Sequence, residues 1–373
     1  MDFSTISREV PPPVILDERD RMTRFTQELR RCGYDLANCA KRLDVFPRLG
    51  VNFWSNMRTN WKACAEDPID NLLLLFMDGH QVNADLIVKQ TSAQFVDAAI
   101  EMRLAERDGG FLKSSICLFP CYGKYIVTDQ AVKNKASNQV MWLWGESFIL
   151  GGLVKRGPRR RCFDLGTGSG VHAILAADHC ARVVGADINP RAITFARFNA
   201  TLNGINNVDF VSSDLFESID GTCDLLVANP PYAPDAAAQP GDNFWSGGIE
   251  GTVLLRRIIE ALPTRLDQDG TAHIIALYPN PPGTTIRDHF DNWLEGKLMD
   301  YDVLDHTWPV PHYKDLLSEQ PFQGDKSRWR FGVVSLRRSP SGMGWWKEVA
   351  GEGLFFGSDG SCRVVADHHA SQN

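Results

Sequence analysis

Apolar positions in the first third of the chain recur at helical spacing, whereas from about residue 160 onward they gather into short runs separated by amphipathic stretches. Between Glu18 and Leu43, Phe25, Leu29, Cys32 and Leu36 fall near one face of a helix. Ala84–Lys89 and Ala93–Glu106 carry apolar positions at the same spacing, so Asp70–Gly110 reads as two or three short helices. The period then changes, and Ile116–Asp129 is strand-like around Tyr125, Ile126 and Val127. Helices followed by a small hairpin suggest a winged-helix-like module. Met1–Pro13 reads as a flexible lead.

The second pattern alternates strand and helix. A short strand ends at Leu165, and a glycine-rich turn leads into an apolar helix start at Val171–Leu175. Arg182–Asp187 is a second strand, and Pro190–Leu202 is a helix with proline near its start. Val208–Val211 and Leu225–Ala228 are further buried strands. A helix over Thr252–Leu262, a strand over His273–Leu277 and a helix over Ile286–Leu294 follow. Tyr301–His306 and Phe331–Leu336 would form a closing strand pair. This alternation predicts an α/β fold with a largely parallel sheet. It divides the chain into a helical, winged-helix-like domain (1–134), an α/β domain (135–340) and a peripheral tail rich in Gly and Ser (341–373).

Candidate chemistry gathers where strands end. Gly166, Gly168 and Gly170 permit positive φ and close approach of a ligand. The spacing does not fit a dinucleotide fingerprint, because the sixth position counted from Gly166 is Val171, and no Gly-Lys-Ser/Thr follows as a P-loop requires. Asp164 just before the turn would repel a pyrophosphate and suits a cationic ligand. Asp187 ends the second strand, where a carboxylate is placed to accept from both ribose hydroxyls of an adenosine. Asp214 can accept from an adenine amino group, with Leu215 beside the ring. Asn229-Pro230-Pro231-Tyr232 closes the fourth strand. The Asn229 side-chain oxygen and the Pro230 carbonyl offer two acceptors for the hydrogens of an NH2 group, the prolines stiffen the turn, and Tyr232 offers a stacking face.

Asp-Leu-Gly-Thr-Gly-Ser-Gly (164–170), Asp187, Asp214 and the Asn-Pro-Pro-Tyr tetrad, in that order, resemble the class I S-adenosylmethionine-dependent methyltransferases over roughly residues 135–337. Within that class the tetrad resembles the release-factor glutamine methyltransferases and the adenine-amino methyltransferases. Ser246-Gly247-Gly248-Ile249-Glu250-Gly251, followed by an apolar helix, looks most like the glutamine-methylating branch. That branch usually carries an acidic-Pro stretch ahead of its glycine pair, where this chain has Asp242-Asn243-Phe244-Trp245. The resemblance implies a Rossmann-like seven-stranded sheet with one antiparallel member. It also implies S-adenosyl-L-methionine as cofactor. Asp164, Gly166, Gly168 and Gly170 would lie along its methionine part, Asp187 at its ribose, Asp214 and Leu215 at its adenine, and Asn229, Pro230 and Tyr232 at the acceptor nitrogen. A protein glutamine is the first reading of the acceptor and a small metabolite the second. A nucleic-acid amino group, or a non-catalytic regulator using the winged-helix-like module, is the third.

Composition narrows these choices. The net charge of −7 disfavours an extended nucleic-acid contact, which demands a basic footprint. For the same reason the N-terminal module is better suited to substrate capping or homodimerisation. The basic run Lys155–Arg161 reads as a solvated linker into the first α/β strand. The longest apolar run, Leu72–Met77, is far too short to span a bilayer, and Met1–Val14 carries no signal-peptide core, so a cytoplasmic location is expected. Nine cysteines without a paired Cys-x-x-Cys motif read as reduced core thiols, and no metal site is expected; His172 and His179 read as structural or exposed. Between the domains, the aromatic segment Val140–Phe148 reads equally as a buried hinge or as a cover over the pocket, with Glu146 and Ser147 as pocket candidates. Trp308, His312, Tyr313 and Trp329 are candidates for shaping the acceptor pocket, with simple packing the plainer reading.

Overall fold

The computed structural model describes residues 10–43, 64–130, 138–232, 234, 246–248, 251–279, 285–309, 329–339, 341–348, 354–356 and 362–364; for 308–309, 354–356 and 362–364 only the backbone is described. Helices α1 (Arg19–Arg31) and α2 (Leu36–Arg42) come first, followed by α3 (Pro68–Phe76), β1 (Val82–Asn83), α4 (Ala84–Gln90), α5 (Ala93–Glu101), β2 (Glu106–Asp108) and β3 (Phe111–Lys113). Side chains cap these helices as their sequences require: Asp67 accepts from Ile69 N ahead of Pro68, Asn83 from Leu86 N, and Ser92 from Phe95 N. The three strands pair in the order β1-β3-β2. Helix, strand, two helices and a terminal hairpin whose second strand pairs the first is the connectivity of a winged helix, but its hairpin is β2–β3, at the end of the stretch read as helical, and not the Ile116–Asp129 segment from which the module was expected. The outer face of α5 carries Gln94, Asp97 and Glu101, and Glu101 is paired to Arg21. That face presents carboxylates, where a DNA-reading helix would present cations to phosphate.

Next comes a hairpin buried except at its turn, β4 (Ile116–Cys121) with β5 (Lys124–Asp129), which leads to α6 (Gly145–Leu153) and the large sheet. The sheet elements are β6 (Arg159–Leu165), α7 (Val171–Ala176), β7 (Cys180–Asp187), α8 (Pro190–Leu202), β8 (Val208–Ser212), β9 (Cys223–Ala228), α9 (Val253–Arg265), β10 (Leu266–Pro279), α10 (Ile286–Trp293), β11 (Tyr301–Pro309), β12 (Trp329–Arg338) and β13 (Trp346–Glu348). The strand order is β13-β11-β12-β10-β9-β6-β7-β8, and β12 runs antiparallel to both of its neighbours. Seven of these strands are those expected from the sequence. The eighth, β13, comes from the tail read as peripheral: it lies parallel to β11, and its Trp346 ring meets Phe290 edge-on at 5.6 Å. An apolar side chain against α10 and free hydrogen-bonding groups on the edge of β11 are enough to recruit it. Arg159, Arg160 and Arg161 also differ from the solvated linker expected of them, since they form the first residues of β6 and their neighbours include the Asp224 carboxylate, which accepts from the backbone of Arg160 and Arg161.

One face of the sheet packs on α9 and α10. The other packs on α6, α7 and α8, and its apolar cluster continues without interruption through the β4–β5 hairpin into the N-terminal helices. The join is polar and specific. Asn199 on α8 and Asn203 at its C-cap, one turn apart, treat β5 as a neighbouring strand would: Val127 N donates to Asn199 Oδ1 (2.8 Å) and Asn199 Nδ2 donates to Val127 O (2.9 Å). Asn203 does the same for Tyr125, at 2.9 and 2.7 Å. At the end of β5, buried Asp129 receives the Arg191 guanidinium through both oxygens and the Val140 N–H at 2.8 Å. A buried pair of this kind is stable only when its remaining hydrogen bonds are made, as they are here.

Asn199→Ala would leave the N–H and C=O of Val127 and the C=O of Ser169 without this partner in the interior. A loss of about 3 kcal/mol is expected, measurable by urea denaturation, with Asn199→Asp also destabilising because it removes both donated bonds.

Candidate active site

The site forms where strands β6, β7, β8 and β9 end on the same edge of the sheet, the usual ligand position in an open α/β fold. After Leu165 the chain turns through Gly166, Gly168 and Gly170, all at positive φ. A Cβ on Gly166 would stand 3.7 Å from the Asn229 carbonyl oxygen and 3.8 Å from Pro230 Cα. The glycine turn and the tetrad therefore face one another across a gap that any side chain would begin to fill.

Asp164 is fully buried under this turn. Its Oδ2 accepts from Thr167 Oγ1 (2.5 Å) and Ala173 N (2.9 Å), while Oδ1 has no hydrogen-bond partner among the described residues. Burial pushes the carboxyl up to about 7, against the two hydrogen bonds that hold it down. Asp187 ends β7 and ties two segments together: Gly168 N donates to its Oδ2 at 2.8 Å and Asn189 N to its Oδ1 at 2.9 Å. Burial raises this carboxyl also. Asn189 itself caps α8, so the carboxylate, the glycine turn and the helix start form one hydrogen-bonded unit.

Asp214 lies on the same edge, but the structure shows it already engaged. Arg257 of α9 grips both its oxygens, each at 3.0 Å. The sequence expectation placed Asp214 toward an amino group and did not foresee this partner, since a single arginine on an amphipathic helix carries no signal. The following Leu215 has φ 49°, a left-handed conformation that costs a branched residue about 1–3 kcal/mol. Ser213 holds it there, donating from Oγ to the Leu215 carbonyl (3.0 Å) and accepting from Ser218 N (2.9 Å).

At the end of β9, Asn229 is half-buried and its side-chain amide hydrogen-bonds to no described residue, while Pro230 is buried. The Tyr232 ring lies 5.3 Å from the Phe331 ring, and its hydroxyl donates to Glu146 Oε1 at 3.5 Å. Behind the tetrad the glycines of the later motif are a steric necessity. A Cβ on Gly251 would stand 2.2 Å from the Tyr232 carbonyl oxygen, and one on Gly247 would stand 2.8 Å from Tyr232 Cα. Asp242–Trp245, His312 and Tyr313, and the Trp308 side chain, lie outside the described residues. Ser147 is buried one residue beyond Glu146 at the start of α6. His172 is buried and held neutral, burial pushing it down to about 4. No cluster of potential metal ligands occurs among the described residues, and the eight cysteines described there are free thiols.

A glycine turn ending the central strand, a carboxylate ending the next and Asn-Pro-Pro-Tyr ending the fourth, on a sheet with this order, define a class I methyltransferase. The methyltransferase small domain family matches residues 144–303. A Methanocaldococcus jannaschii protein provisionally named a protein N5-glutamine methyltransferase is 38% identical over 155 residues, covering 40% of this chain and 78% of that protein. The release factor glutamine methyltransferase of Mycolicibacterium smegmatis is 33% identical over 138 residues, covering 34% of this chain and 48% of that one. The crystal structure of a ribosomal protein L11 methylase from Lactobacillus delbrueckii subsp. bulgaricus matches with a TM-score of 0.33 at 22% identity, over 52% of this chain and 77% of that one. The chain thus spans most of the archaeal relative but less than half of the release-factor enzyme. It belongs to the S-adenosylmethionine-dependent methyltransferases of the Asn-Pro-Pro-Tyr group, and S-adenosylmethionine is its cofactor. The edge described above fits that cation: Asp164 Oδ1 is a buried acceptor with no partner among the described residues, and Gly166 leaves the space of a side chain unfilled beside Asn229 and Pro230.

The raised Asp164 pKa sets a sign for stability. The folded protein holds this proton more tightly than the unfolded chain, so in the cofactor-free enzyme stability falls as pH rises from about 4 to about 7. Asp164→Asn should reduce that slope in thermal melts across the window without abolishing it, since the buried Glu146 carboxyl, also pushed up to about 7, supplies a comparable part.

Proposed function

We propose that the enzyme transfers a methyl group to the side-chain amide nitrogen of a protein glutamine. The observation that carries this reading is the approach of Gly166 to the backbone of Asn229 and Pro230, with the half-buried Asn229 side chain hydrogen-bonded to no described residue. The relatives named as protein glutamine methyltransferases support the amide over other acceptors.

Each residue then has a task. Asp164, Gly166, Gly168 and Gly170 line the methionine part of the cofactor, Asp187 accepts from its ribose hydroxyls, and Asp214 with Leu215 borders its adenine, Arg257 holding the Asp214 carboxylate in place. The bound cofactor supplies an electrophilic methyl group on a positive sulfonium. The Asn229 side-chain oxygen and the Pro230 carbonyl accept the two hydrogens of the incoming NH2. An amide nitrogen is a poor nucleophile because its lone pair is delocalised. Two acceptors on its hydrogens favour a rehybridised nitrogen, they become stronger partners as that nitrogen gains positive charge, and one of those hydrogens then leaves to solvent as a proton to restore a neutral amide. The rigid Pro230-Pro231 turn fixes both acceptors before the substrate arrives, so positioning supplies much of the rate. The N-terminal module, locked to α8 through Asn199, Asn203 and Asp129, acts as a fixed cap on the substrate side of the enzyme.

Asn229→Ala should lower methyl transfer by about 10²–10³-fold, the loss typical of one transition-state partner, while cofactor affinity by calorimetry changes little. Asp187→Ala should weaken cofactor binding. Incubation with methyl-labelled cofactor and a host lysate, separated into protein, nucleic-acid and small-molecule fractions, tests the acceptor. Label in protein as methylated glutamine is expected. Label confined to small molecules would establish a metabolite acceptor instead.

A further inference from the structure

Glu146 stands apart from the residues given a task above. It begins α6, its side chain is buried, and the Tyr232 hydroxyl donates to its Oε1 at 3.5 Å. Tyr232 in turn leans on Phe331 and is pressed from behind by Gly247 and Gly251. The ring is thus clamped on its backbone side and on one face, and the hydroxyl is the end left to be fixed. Glu146 is the described group that fixes it.

We propose that Glu146 is a positioning residue of the acceptor site, holding the Tyr232 hydroxyl so that the ring keeps one orientation beside the amide bound at Asn229. The inference rests on the reading of Asn229–Tyr232 as the acceptor site and adds a residue on a different helix to it. A carboxylate is a stronger acceptor than a carboxylic acid, so the hold tightens when Glu146 ionises. Its surroundings make that ionisation fall in the working range. Burial pushes Glu146 up to about 7, while its own backbone N–H and the Tyr232 hydroxyl pull it down. The same burial, followed by Glu146 itself, raises the Tyr232 phenol well above its usual range, so Tyr232 remains a donor.

Helix α6 packs on α7, β10 and β12. His172 on α7 and His273 on β10 are kept neutral by burial, each pushed down to about 4. On β12, Arg330 is taken up by Thr307 and Glu348, Arg337 by Asp302 and Arg338 by the Pro263 carbonyl. Lys155 and Arg156 follow the far end of α6. The backbone strand Cys362–Val364 also runs near α6, and its side chains lie outside the described residues.

Two measurements test the proposal. The first needs no acceptor. In protein carrying ring-13C tyrosine, the Tyr232 Cζ resonance, assigned through Tyr232→Phe, should move with pH through an apparent pKa near 7 and stop doing so in Glu146→Gln. A Tyr232 resonance that ignores pH between 5 and 9, or one that titrates equally in the variant, would overturn it. The second is a double-mutant cycle at saturating cofactor, read on whichever lysate fraction the wild-type enzyme labels. Glu146→Gln and Tyr232→Phe should each lower kcat by about tenfold with cofactor affinity unchanged, and the double variant should be no worse than Tyr232→Phe alone. The acid limb of kcat should vanish in Glu146→Gln. Additive losses, or a matching loss of cofactor affinity, would show that Glu146 acts elsewhere. A wild-type enzyme that labels no protein would defeat the glutamine reading and leave the resonance test intact.

Discussion

Everything in the site depends on the parallel pairing of β6 with β9, in register at Leu165 and Ala228. Because both strands stop at the same level, the turn that follows one and the tetrad that follows the other emerge side by side. The sheet thereby fixes the distance between the glycine turn and the Asn-Pro-Pro-Tyr turn. Hydrophobic burial favours this pairing, because the facing runs of both strands are buried on both sides of the sheet. Methyl transfer gains most from geometry, and here the geometry is a property of the central core.

Charge is arranged to suit a cation. The two carboxylates nearest the glycine turn, Asp164 and Asp187, are both raised by burial, and one Asp164 oxygen has no partner among the described residues. In a cofactor-free protein this is a destabilising arrangement, since it holds desolvated carboxyls in an apolar setting. A positively charged ligand removes the penalty by favouring the ionised form. The electrostatic demand of these carboxyls is unmet by the described residues, and the strained Leu215 adds a second local cost at the same edge.

Much of this was legible in the sequence because the signals are local. The glycine turn, Asp187, Asp214 and the tetrad each follow a short apolar run, and a strand end needs only a few residues to declare itself. The helix Pro190–Leu202 was readable to its ends, since Pro190 starts it and the apolar spacing stops at Leu202. Other features were not legible because they depend on distant partners. Arg257 on Asp214, Glu146 on Tyr232, and the asparagines of α8 on β5 join segments far apart in the chain, and no spacing rule reports them. Trp346 was hidden for a related reason: three residues between glycine-rich stretches do not look like a strand until an edge is available to pair with. The second glycine motif was visible, but its physical meaning was not, because only the folded chain shows Gly247 and Gly251 pressed on the Tyr232 backbone.

The two asparagines of α8 have one more effect. A two-stranded hairpin exposes backbone donors and acceptors that invite pairing with a strand from another molecule. By matching the N–H and C=O groups of Tyr125 and Val127 with side-chain amides, α8 occupies that side of β5 as a helix that cannot be extended into a growing sheet. The contact that joins the two halves of the enzyme therefore also blocks one route to aggregation, and a chain that folded its hairpin before α8 was in place would be vulnerable to edge pairing until the helix arrived.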